Sequence, residues 1–354
     1  MITLPPHRAA RIDAAVDDAL DRLRDRATRR SAIGGDLAAA AARAARDGKR
    51  LRPALVVASF EAFAPDAIEQ TPALWQVAAA FELLHTAFVV HDDLIDRDTQ
   101  RRGVPNVSGE YRKRGLDLGA APEQAILFGD AAAVLAGDLL LFEASRLIAT
   151  APVDTLTRDD LFSVLEDAVG WSAAGELADV AHAVAAEDPE PDALLAAAHD
   201  KTAVYSFRAP LAAGAALAAA DPAARAAAER AISPVGLAFQ LVDDLIGAFG
   251  TATQAGREPG ADLRERKRTP LIAFAQQSAS WPHVDSALGV AATGPVAVLR
   301  AQRALDASGA RERIAGLVDD LLAHAHDLAA DPAIPAPVSA LIRGIAARVT
   351  ERIP

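Results

Sequence analysis

Apolar residues recur at helical spacing along almost the whole chain. Near the start, Ile12, Val16, Leu20 and Leu23 lie four, four and three residues apart, which is typical of one buried stripe of an amphipathic helix. The same periodicity predicts helices at 36–46, 53–63, 73–96, 123–149, 158–186, 192–218, 222–249, 268–280, 294–307, 310–329 and 335–352. The sequence shows no convincing strand alternation and no repeat of fixed period. The pattern predicts an all-α protein.

Proline and glycine separate these predicted helices, and the longest interruption runs from 251 to 268. That segment is charged, and long loops in compact domains usually carry function. No stretch has the composition of a linker between two cores. We therefore expect one domain, residues 1–354, in which a helical bundle surrounds a central cavity.

Composition narrows the class of protein. The chain has 354 residues, 51% of them apolar, which is enough for a sizeable core. Its formal net charge of −12 argues against nucleic acid as the main partner. The lack of cysteine excludes disulfides and thiol catalysis. Residues 1–11 lack the apolar region of a signal peptide, and the longest apolar stretches, such as 209–220, are too short to span a bilayer. We expect a soluble, cytoplasmic protein without stable membrane insertion.

Two aspartate clusters lie inside apolar helical segments. In the first, Asp92 and Asp96 share one helix face about 6 Å apart along the axis, with Asp93 beside them. In the second, Asp243 and Asp244 follow Gln240. One alternative for each cluster is a solvated helix end. Carboxylates in apolar surroundings are costly without a cation, and hard divalent cations prefer oxygen ligands, so these five aspartates are predicted to bind Mg²⁺.

Basic residues accompany the two clusters. They lie in Gly48-Lys49-Arg50-Leu51-Arg52-Pro53, in Arg101-Arg102-Gly103, in Lys201-Thr202, and at Arg257 and Lys267. Guanidinium and ammonium groups are the usual partners of phosphate oxygens, although a lone one is equally compatible with a solvated surface. Together with the carboxylates they predict a diphosphate held by Mg²⁺ and basic side chains. The sequence has no nucleotide-binding glycine motif, so a diphosphate other than a nucleotide is preferred.

These motifs, in this order over residues 45 to 275, resemble those of the trans-isoprenyl diphosphate synthases, and geranylgeranyl diphosphate synthases in particular. The matching segments are 48–53, His85, 92–96 with 101–103, Ala136-Gly137-Asp138, Gly175-Glu176-Leu177-Ala178-Asp179, Lys201-Thr202 and 239–244. The resemblance implies a helical bundle of the isoprenoid synthase type, usually homodimeric. It also implies Mg²⁺-dependent head-to-tail condensation of isopentenyl diphosphate with an allylic diphosphate.

The resemblance further implies a role for each matching residue. The Mg²⁺ ions that carry the allylic diphosphate would be bound by Asp92, Asp96 and Asp243, with assistance from Arg101, Lys201 and Arg257. The isopentenyl diphosphate would be held by Lys49, Arg52, His85 and Arg102. The allylic carbocation or its diphosphate would be stabilised by Thr202 and Gln240.

Three positions depart from the commonest family pattern. Gly247 stands where the second motif usually ends in Asp, Glu176 where Gln is frequent, and Arg257 where Lys is usual. The missing carboxylate at 247 is expected to weaken binding of a third metal ion. Glu176 adds negative charge near a polyanion, which is unfavourable unless its carboxyl group is protonated, paired or metal-linked. We still expect an active enzyme.

Phe88 bears on product length. It lies one helical turn before Asp92, about 6 Å along the axis, and Ala87 beside it stands where many short-chain members carry an aromatic residue. One alternative is that Phe88 is simple core packing. If Phe88 forms a partial floor of the cavity that receives the isoprenoid tail, the expected product is C20, geranylgeranyl diphosphate.

The other candidate functions are a farnesyl or longer polyprenyl diphosphate synthase, a terpene cyclase, and a non-catalytic partner subunit. The basic residues of 48–53 and Arg102 disfavour the cyclase, which needs no second diphosphate site.

Overall fold

The computed structural model describes residues 2–46, 48–255 and 258–354, and in these residues helix predominates. The α-helices are α1 (Pro6–Arg30), α2 (Ala32–Arg46), α3 (Leu51–Phe63), α4 (Pro72–Ile95), α5 (Val107–Asp117), α6 (Pro122–Ala149), α7 (Thr155–Val184), α8 (Pro191–Ala198), α9 (Ala209–Leu217), α10 (Pro222–Phe249), α11 (Ala252–Ala255), α12 (Ala261–Glu265), α13 (Pro270–Gln276), α14 (Trp281–Leu288), α15 (Pro295–Ala307), α16 (Ala310–Leu328) and α17 (Ala336–Thr350). Short 3₁₀ helices span Pro65–Gln70 and Ala291–Thr293. The strands β1 (Gln100–Arg101) and β2 (Val104–Pro105) form an antiparallel hairpin in which Arg101 pairs with Val104. The prediction of an all-α protein is confirmed.

The chain divides into two compact units, and the boundary between them falls inside α7. The N-terminal unit comprises Ile2–Leu165 with Pro210–Ala220, and the C-terminal unit comprises Glu166–Ala209 with Asp221–Pro354. The expectation of a single domain around a central cavity stays a prediction.

Helix α4 is the core of the N-terminal unit. It packs against α1, α3 and α6, and apolar side chains cover nearly its whole circumference, as is typical of a helix enclosed on all sides. The predicted stripe of α1 is confirmed, since its four residues from Ile12 to Leu23 are at most 4% exposed. The chain returns to this unit in α9, where the Ser59 hydroxyl donates a hydrogen bond of 2.7 Å to the carbonyl of Leu211. The packing of α1, α3 and α6 holds α4, whose carboxyl-terminal end carries the first aspartate cluster.

Helix α10 has the corresponding place in the C-terminal unit. It packs against α16, α17 and the segment His199–Arg208, which is a π-helix. Asp221 caps α10 by accepting hydrogen bonds from the backbone N–H groups of Ala223 and Ala224 at 2.9 and 3.1 Å. Near the other end, the Gln302 side chain donates to the carbonyl of Ala248 at 2.7 Å. The second aspartate cluster therefore lies on a helix that is held at both ends.

Several predicted helices need correction. The predicted run 192–218 is α8, the π-helix and α9 in succession, and the predicted helix 268–280 is only Pro270–Gln276. The sequence prediction missed α5 and α14, and the segment 251–268, predicted as a loop, contains α11 and α12. The missed helices are 11 and 8 residues long, too short for periodicity to separate from a loop.

The expectation that no segment is long and apolar enough to span a bilayer is wrong. Among the described residues, α4, α6 and α10 meet that criterion by length and composition. Counting uninterrupted apolar residues missed them because each contains isolated polar positions. The most apolar window of α4 is 78% buried within the protein, whereas that of α6 is only 39% buried.

Candidate active site

The first aspartate cluster occupies the carboxyl-terminal end of α4. Asp92 and Asp93 lie in its last turn, and Asp96 follows as the capping residue, with its N–H bonded to the carbonyl of Asp92 at 2.8 Å. The end of a helix carries partial negative charge, so three carboxylates there are unfavourable without a cation. Throughout the last turn of α4, which the structure describes in full, there is no basic residue. The compensating positive charge must come from outside the helix.

Arg101 of β1 supplies that charge on one side of the cluster. Its Nε and Nη2 atoms donate to Asp93 Oδ1 at 2.9 and 2.7 Å, and Nη2 lies 3.8 Å from Asp92 Oδ2. Burial raises the pKa of the Asp93 carboxyl, which is 4% exposed, and the hydrogen bonds from Arg101 oppose that rise. Asp92 is partly exposed and Asp96 is exposed. The five predicted metal ligands are therefore not equivalent, because Asp93 positions Arg101 while Asp92 and Asp96 face solvent.

The β-hairpin fixes Arg101 and Arg102. Arg102 and Gly103 form its two-residue turn with φ angles of +53° and +78°, the backbone of a type I′ turn, which suits the twist of paired strands. Asn106 holds the hairpin in place through two hydrogen bonds. Its side chain accepts from the N–H of Gly109 at 2.9 Å, capping α5, and donates to the carbonyl of Asp98 at 2.8 Å.

Three arginines act electrostatically on His85, which lies two helical turns before Asp92 on the same face of α4. Burial, followed by the positive charges of Arg52, Arg101 and Arg102, lowers the pKa of His85 well below its ordinary value of 6.5. The imidazole is therefore neutral at pH 7 and can donate one hydrogen bond and accept another. A neutral donor among guanidinium groups suits an anion that needs both charge and directed hydrogen bonds.

The basic residues of the turn before α3 have different surroundings. Arg50 makes contacts within the protein, whereas Lys49 and Arg52 are at least partly accessible to solvent. Arg50, with φ of +51°, donates to Glu82 Oε1 and to the carbonyl of Ala45, both at 2.7 Å, and to Asp13 Oδ1 at 3.0 Å. Glu82 is 2% exposed, so this ion pair stabilises the turn. A Cβ on Gly48 would overlap Glu82 Oε1. Lys49 is exposed and Arg52 partly exposed, in keeping with their predicted assignment to a substrate.

In the C-terminal unit, Lys201 lies in the π-helix and contacts two carboxylates of α7. Its Nζ atom is 2.9 Å from Glu176 Oε2 and 3.0 Å from Asp179 Oδ2. A Cβ on Gly175 would lie 2.8 Å from the Cα of Lys201, so only glycine allows the two helices to approach this closely. π-Helices are rare and occur frequently at functional sites. The unfavourable charge noted for Glu176 is explained, because its carboxylate is paired with Lys201.

The second cluster on α10 is also engaged by neighbouring side chains. Gln240 donates from Nε2 to Asp244 Oδ1 at 2.9 Å, and Arg352 donates to Asp243 Oδ1. Burial, followed by the Asp262 carboxylate, raises the pKa of Asp244 to about 7, while Lys267 opposes the rise. Gln240, Asp243 and Asp244 thus form a polar stripe on the otherwise apolar second half of α10.

The donor set fits Mg²⁺. Among the described residues, no three carboxylate or imidazole groups converge into a complete metal site. Mg²⁺ usually retains several waters and binds through one or two carboxylates together with substrate phosphates, so an all-protein cage is not expected. Within the N-terminal unit, Asp92 and Asp96 offer such oxygen donors, and within the C-terminal unit Asp243 and Asp244 do so by themselves.

The sequence analysis missed several residues that contact the predicted site residues, and one predicted residue is not described by the structure. Sequence reasoning gave no role to Glu82, Asn106, Asp179, Asp262 or Arg352. Asn106 had a local signal, since asparagine before a helix is a common cap. Phe88 and Thr202 are partly exposed, and Arg257 lies outside the described residues. Gly137 of the quoted motif is explained by His91, whose ring a Cβ there would overlap.

Known proteins resemble this chain in sequence. The polyprenyl synthetase family model matches residues 36–298. A geranylgeranyl diphosphate synthase of Mycobacterium tuberculosis is 34% identical over 271 residues, which cover 77% of this chain and 68% of that protein. A (2E,6E)-farnesyl diphosphate synthase of Mycobacterium bovis is 35% identical over 222 residues, or 63% of this chain, and the match spans little more than half (55%) of that protein.

Solved structures give the same result. The crystal structure of geranylgeranyl pyrophosphate synthase from Corynebacterium glutamicum, in complex with isoprenyl diphosphate and magnesium, superposes with a TM-score of 0.87 at 26% identity. The match covers 96% of this chain and 97% of that one. Since the family model covers well over half of the sequence, this chain belongs to the polyprenyl synthetase family.

Proposed function

We propose that the protein is a Mg²⁺-dependent prenyltransferase that condenses isopentenyl diphosphate with allylic diphosphates to give geranylgeranyl diphosphate. Family membership, the names of its relatives and the carboxylate and basic groups of both units support this activity. The magnesium in the Corynebacterium glutamicum complex supports the choice of metal. The same relatives support a farnesyl product as an alternative.

The observation that carries the proposal is the group of basic residues around His85. Arg52 and Arg102, which are assigned to the isopentenyl diphosphate, act electrostatically on this neutral imidazole, as does Arg101, which is assigned to the allylic diphosphate. All of them lie in the same unit as the acidic end of α4. The allylic diphosphate is bound through the carboxylates and the metal, and a second diphosphate requires a separate set of positively charged side chains. A terpene cyclase ionises only one diphosphate, so it does not require the basic residues around His85.

The residues then have distinct tasks. Breaking the allylic C–O bond leaves a diphosphate anion and a delocalised carbocation, which the double bond of isopentenyl diphosphate attacks to form a new C–C bond. Bound Mg²⁺ would neutralise charge on the departing diphosphate. Arg101 and Lys201 place further positive charge towards that anion, and His85 with Arg52, Arg102 and Lys49 orients the acceptor. The proton then lost from the acceptor goes to the released diphosphate, so the chain needs no dedicated base.

Thr202 and Gln240 complete the proposed assignment. The hydroxyl of Thr202 and the amide of Gln240 offer dipoles to the carbocation or its diphosphate. Gln240 already uses its amide N–H to hold Asp244, which leaves its carbonyl oxygen able to accept or to face a developing positive charge. Arg257 is proposed to assist in binding the allylic diphosphate, as the resemblance implies.

The protein is proposed to act as a homodimer in the cytoplasm. The support for a dimer is the exposed apolar face of α6, which includes Leu127 and Phe142 at 69% and 65% exposure. An exposed apolar patch of this kind marks an interaction surface. Localisation rests on the composition of the sequence and stays a prediction.

One assay tests the activity. Purified protein is incubated with Mg²⁺, isopentenyl diphosphate and each allylic starter, and the dephosphorylated products are sized by chromatography. We expect a C20 alcohol as the main product, and Asp92→Ala should abolish turnover while the exposed-site control Asp117→Ala keeps it. Release of hydrocarbon without chain growth would indicate a cyclase. Turnover only with an added second subunit would indicate a non-catalytic partner.

A further inference from the structure

Contacts at regular intervals join the π-helix to α10 within the C-terminal unit. They pair His199 with Ser233, Ala203 with Gly236, and Phe207 with Phe239. A Cβ on Gly236 would lie 2.8 Å from the Cα of Ala203, so the two backbones approach closely, and the two phenylalanine ring centroids are 5.1 Å apart. Each step along this row of contacts advances four residues in the π-helix and three in α10. The row therefore defines one register between the two helices.

The first contact of the row is a hydrogen bond between polar side chains. His199 Nε2 lies 2.9 Å from Ser233 Oγ, and His199 Nδ1 lies 2.9 Å from Asp200 Oδ1. A carboxylate only accepts hydrogen bonds, so Nδ1–H donates to Asp200, and in the neutral imidazole Nε2 accepts from the Ser233 hydroxyl. Asp200 thereby fixes the orientation of the ring that binds the serine.

This hydrogen bond sets the register in a way that the apolar contacts do not. Burial of apolar surface is non-directional, whereas a hydrogen bond requires its two atoms to lie about 3 Å apart and in line. A single polar contact in an apolar interface specifies the register of paired helices in other proteins. The His199 side chain is 33% exposed, so water would replace the lost partner and the cost in stability would be small. Register therefore explains the contact better than stability does.

The register determines where Lys201 and Thr202 are directed. Both residues lie between the first two contacts of the row, and Gln240 directly follows the third. The Lys201 carbonyl accepts a hydrogen bond of 3.4 Å from the hydroxyl of Ser172 on α7, and its ammonium group contacts two carboxylates of the same helix. A shift of the π-helix along α10 would therefore displace Lys201 and Thr202 together, relative to Gln240.

We propose that His199 and Ser233 are positioning residues, whose hydrogen bond holds the π-helix in register with α10 and so directs Lys201 and Thr202 towards the allylic diphosphate. This inference rests on the proposed function. Misplacement of a binding group by about 1 Å can cost about 100-fold in rate, so the loss of this one hydrogen bond affects the reaction more than it affects folding. Binding of isopentenyl diphosphate is unaffected, because the residues assigned to it belong to the N-terminal unit.

Variants of the two residues separate positioning from stability. Ser233→Ala removes the hydroxyl group, whereas Ser233→Thr keeps it and serves as the rescue. His199→Ala removes the other partner, and the double variant tests whether the two side chains act as one unit. Ser339→Ala is the matched control, because it removes a hydrogen bond of 2.6 Å to the carbonyl of Ala329 in the same unit. Steady-state kinetics give the KM for each diphosphate, and circular dichroism verifies folding.

We expect the KM for the allylic diphosphate to rise about tenfold in Ser233→Ala and in His199→Ala, and the KM for isopentenyl diphosphate to stay within about twofold. The double variant should show about the same tenfold rise, since residues that act as a unit are not additive. Ser233→Thr and the control should stay within about twofold of the unmodified protein. Without substrate, hydrogen exchange measured by mass spectrometry should be faster at residues 199–208 in Ser233→Ala and unchanged at residues 72–95.

An unchanged allylic KM, or unchanged exchange at residues 199–208, in folded Ser233→Ala would overturn the inference and leave the proposed function intact. An equal rise in the KM for both diphosphates would also overturn it, because that result indicates a general loss of packing. If the unmodified protein elongates no allylic diphosphate, the proposed function fails and the role in substrate binding fails with it. The exchange rates would then still show whether the hydrogen bond holds the π-helix.

Discussion

Arg352 donates a hydrogen bond to Asp243, so a guanidinium group neutralises one of the carboxylates proposed to bind metal. The same guanidinium lies 4.3 Å above the ring of Phe239, one turn earlier on α10. The pair is only partly exposed, with 27% of the Arg352 side chain and 38% of the Asp243 side chain accessible. A metal ion that binds Asp243 must therefore compete with a cation that is already present.

Removing that competitor should strengthen binding of the metal alone. Arg352→Gln is expected to lower the dissociation constant for Mg²⁺, without diphosphate, about two- to fivefold, since partly exposed ion pairs contribute about 0.2–1 kcal/mol. Isothermal titration calorimetry measures this directly. Arg348→Gln is the control, because Arg348 pairs with the exposed Glu351 at 3.0 Å. Weaker binding in Arg352→Gln would show that the arginine assists the metal.

The charge on Glu176 should raise the KM for the allylic diphosphate. Lys201 is neutralised by both Glu176 and Asp179, so less of its positive charge is available to a polyanion. Glu176→Gln keeps the shape and removes one negative charge. We expect KM for the allylic diphosphate to fall about three- to fivefold, equivalent to about 1 kcal/mol, with kcat within about twofold.

Steady-state kinetics with a fixed concentration of isopentenyl diphosphate measure this effect. Glu166→Gln is the matched control, since it makes the same change at an exposed position of α7. A higher KM in Glu176→Gln would show that the glutamate holds Lys201 in a productive position, and that this role outweighs its repulsion of the substrate.

Local signals predicted some elements well, and tertiary contacts determine the rest. The predicted bounds of α10 match the structure because Asp221 and Pro222 at its start are local features that the sequence displays. The π-helix was missed because apolar periodicity does not distinguish a π-helical segment from the α-helices on either side of it. The Asp92–Asp96 cluster was recognisable since its residues are four apart. The ion pair of Arg352 with Asp243, and the hydrogen bond of His199 with Ser233, join distant parts of the chain and have no local pattern.

His85 should make the protein less stable in mild acid. Its pKa is lowered in the folded protein, first by burial and then by the three nearby arginines, so below pH 6.5 the unfolded chain binds a proton that the folded protein does not. Stability that is fully present above pH 6.5 is therefore lost as the pH falls towards the lowered pKa, by up to about 1.4 kcal/mol per pH unit.

A neutral replacement isolates this contribution. His85→Gln is expected to show a shallower loss of unfolding free energy between pH 7 and pH 5 than the unmodified protein, in urea titrations at each pH. His324→Gln serves as the control, at an exposed position of α16. Parallel pH profiles for His85→Gln and the unmodified protein would contradict the lowered pKa.

Phe88 should limit the length of the product. It lies one turn before Asp92 on α4 and is partly exposed, whereas Ala87 beside it is fully buried. Phe88→Ala is expected to shift the main product from C20 to C25 or longer, because a removed floor leaves room for further isoprene units. Product alcohols are sized by chromatography. Val89→Ala changes a residue on a different side of the same helix turn and should leave the product length unchanged. An unchanged product in Phe88→Ala would contradict the role of Phe88 as the floor of the cavity.

The exposed stripe of α6 should hold two copies of the chain together. Leu127, Leu135 and Phe142 are 69%, 52% and 65% exposed and lie eight and seven residues apart, so they share one side of the helix. Leu135→Glu places a charge at the centre of this stripe, where burial against a second copy would be costly. Sedimentation velocity at micromolar concentration should show a dimer for the unmodified protein and a monomer for this variant.

Leu118→Glu is the matched control, because Leu118 is more exposed still, at 79%, but follows α5 and lies outside the stripe. It should remain dimeric. The length and apolar composition of α6 would also suit a lipid bilayer, so flotation with phospholipid vesicles completes the experiment. An unmodified protein that sediments as a monomer and floats with vesicles would mean that α6 meets lipid. Dimerisation that is lost in Leu135→Glu and kept in Leu118→Glu would mean that α6 packs against α6 of a second copy of the chain.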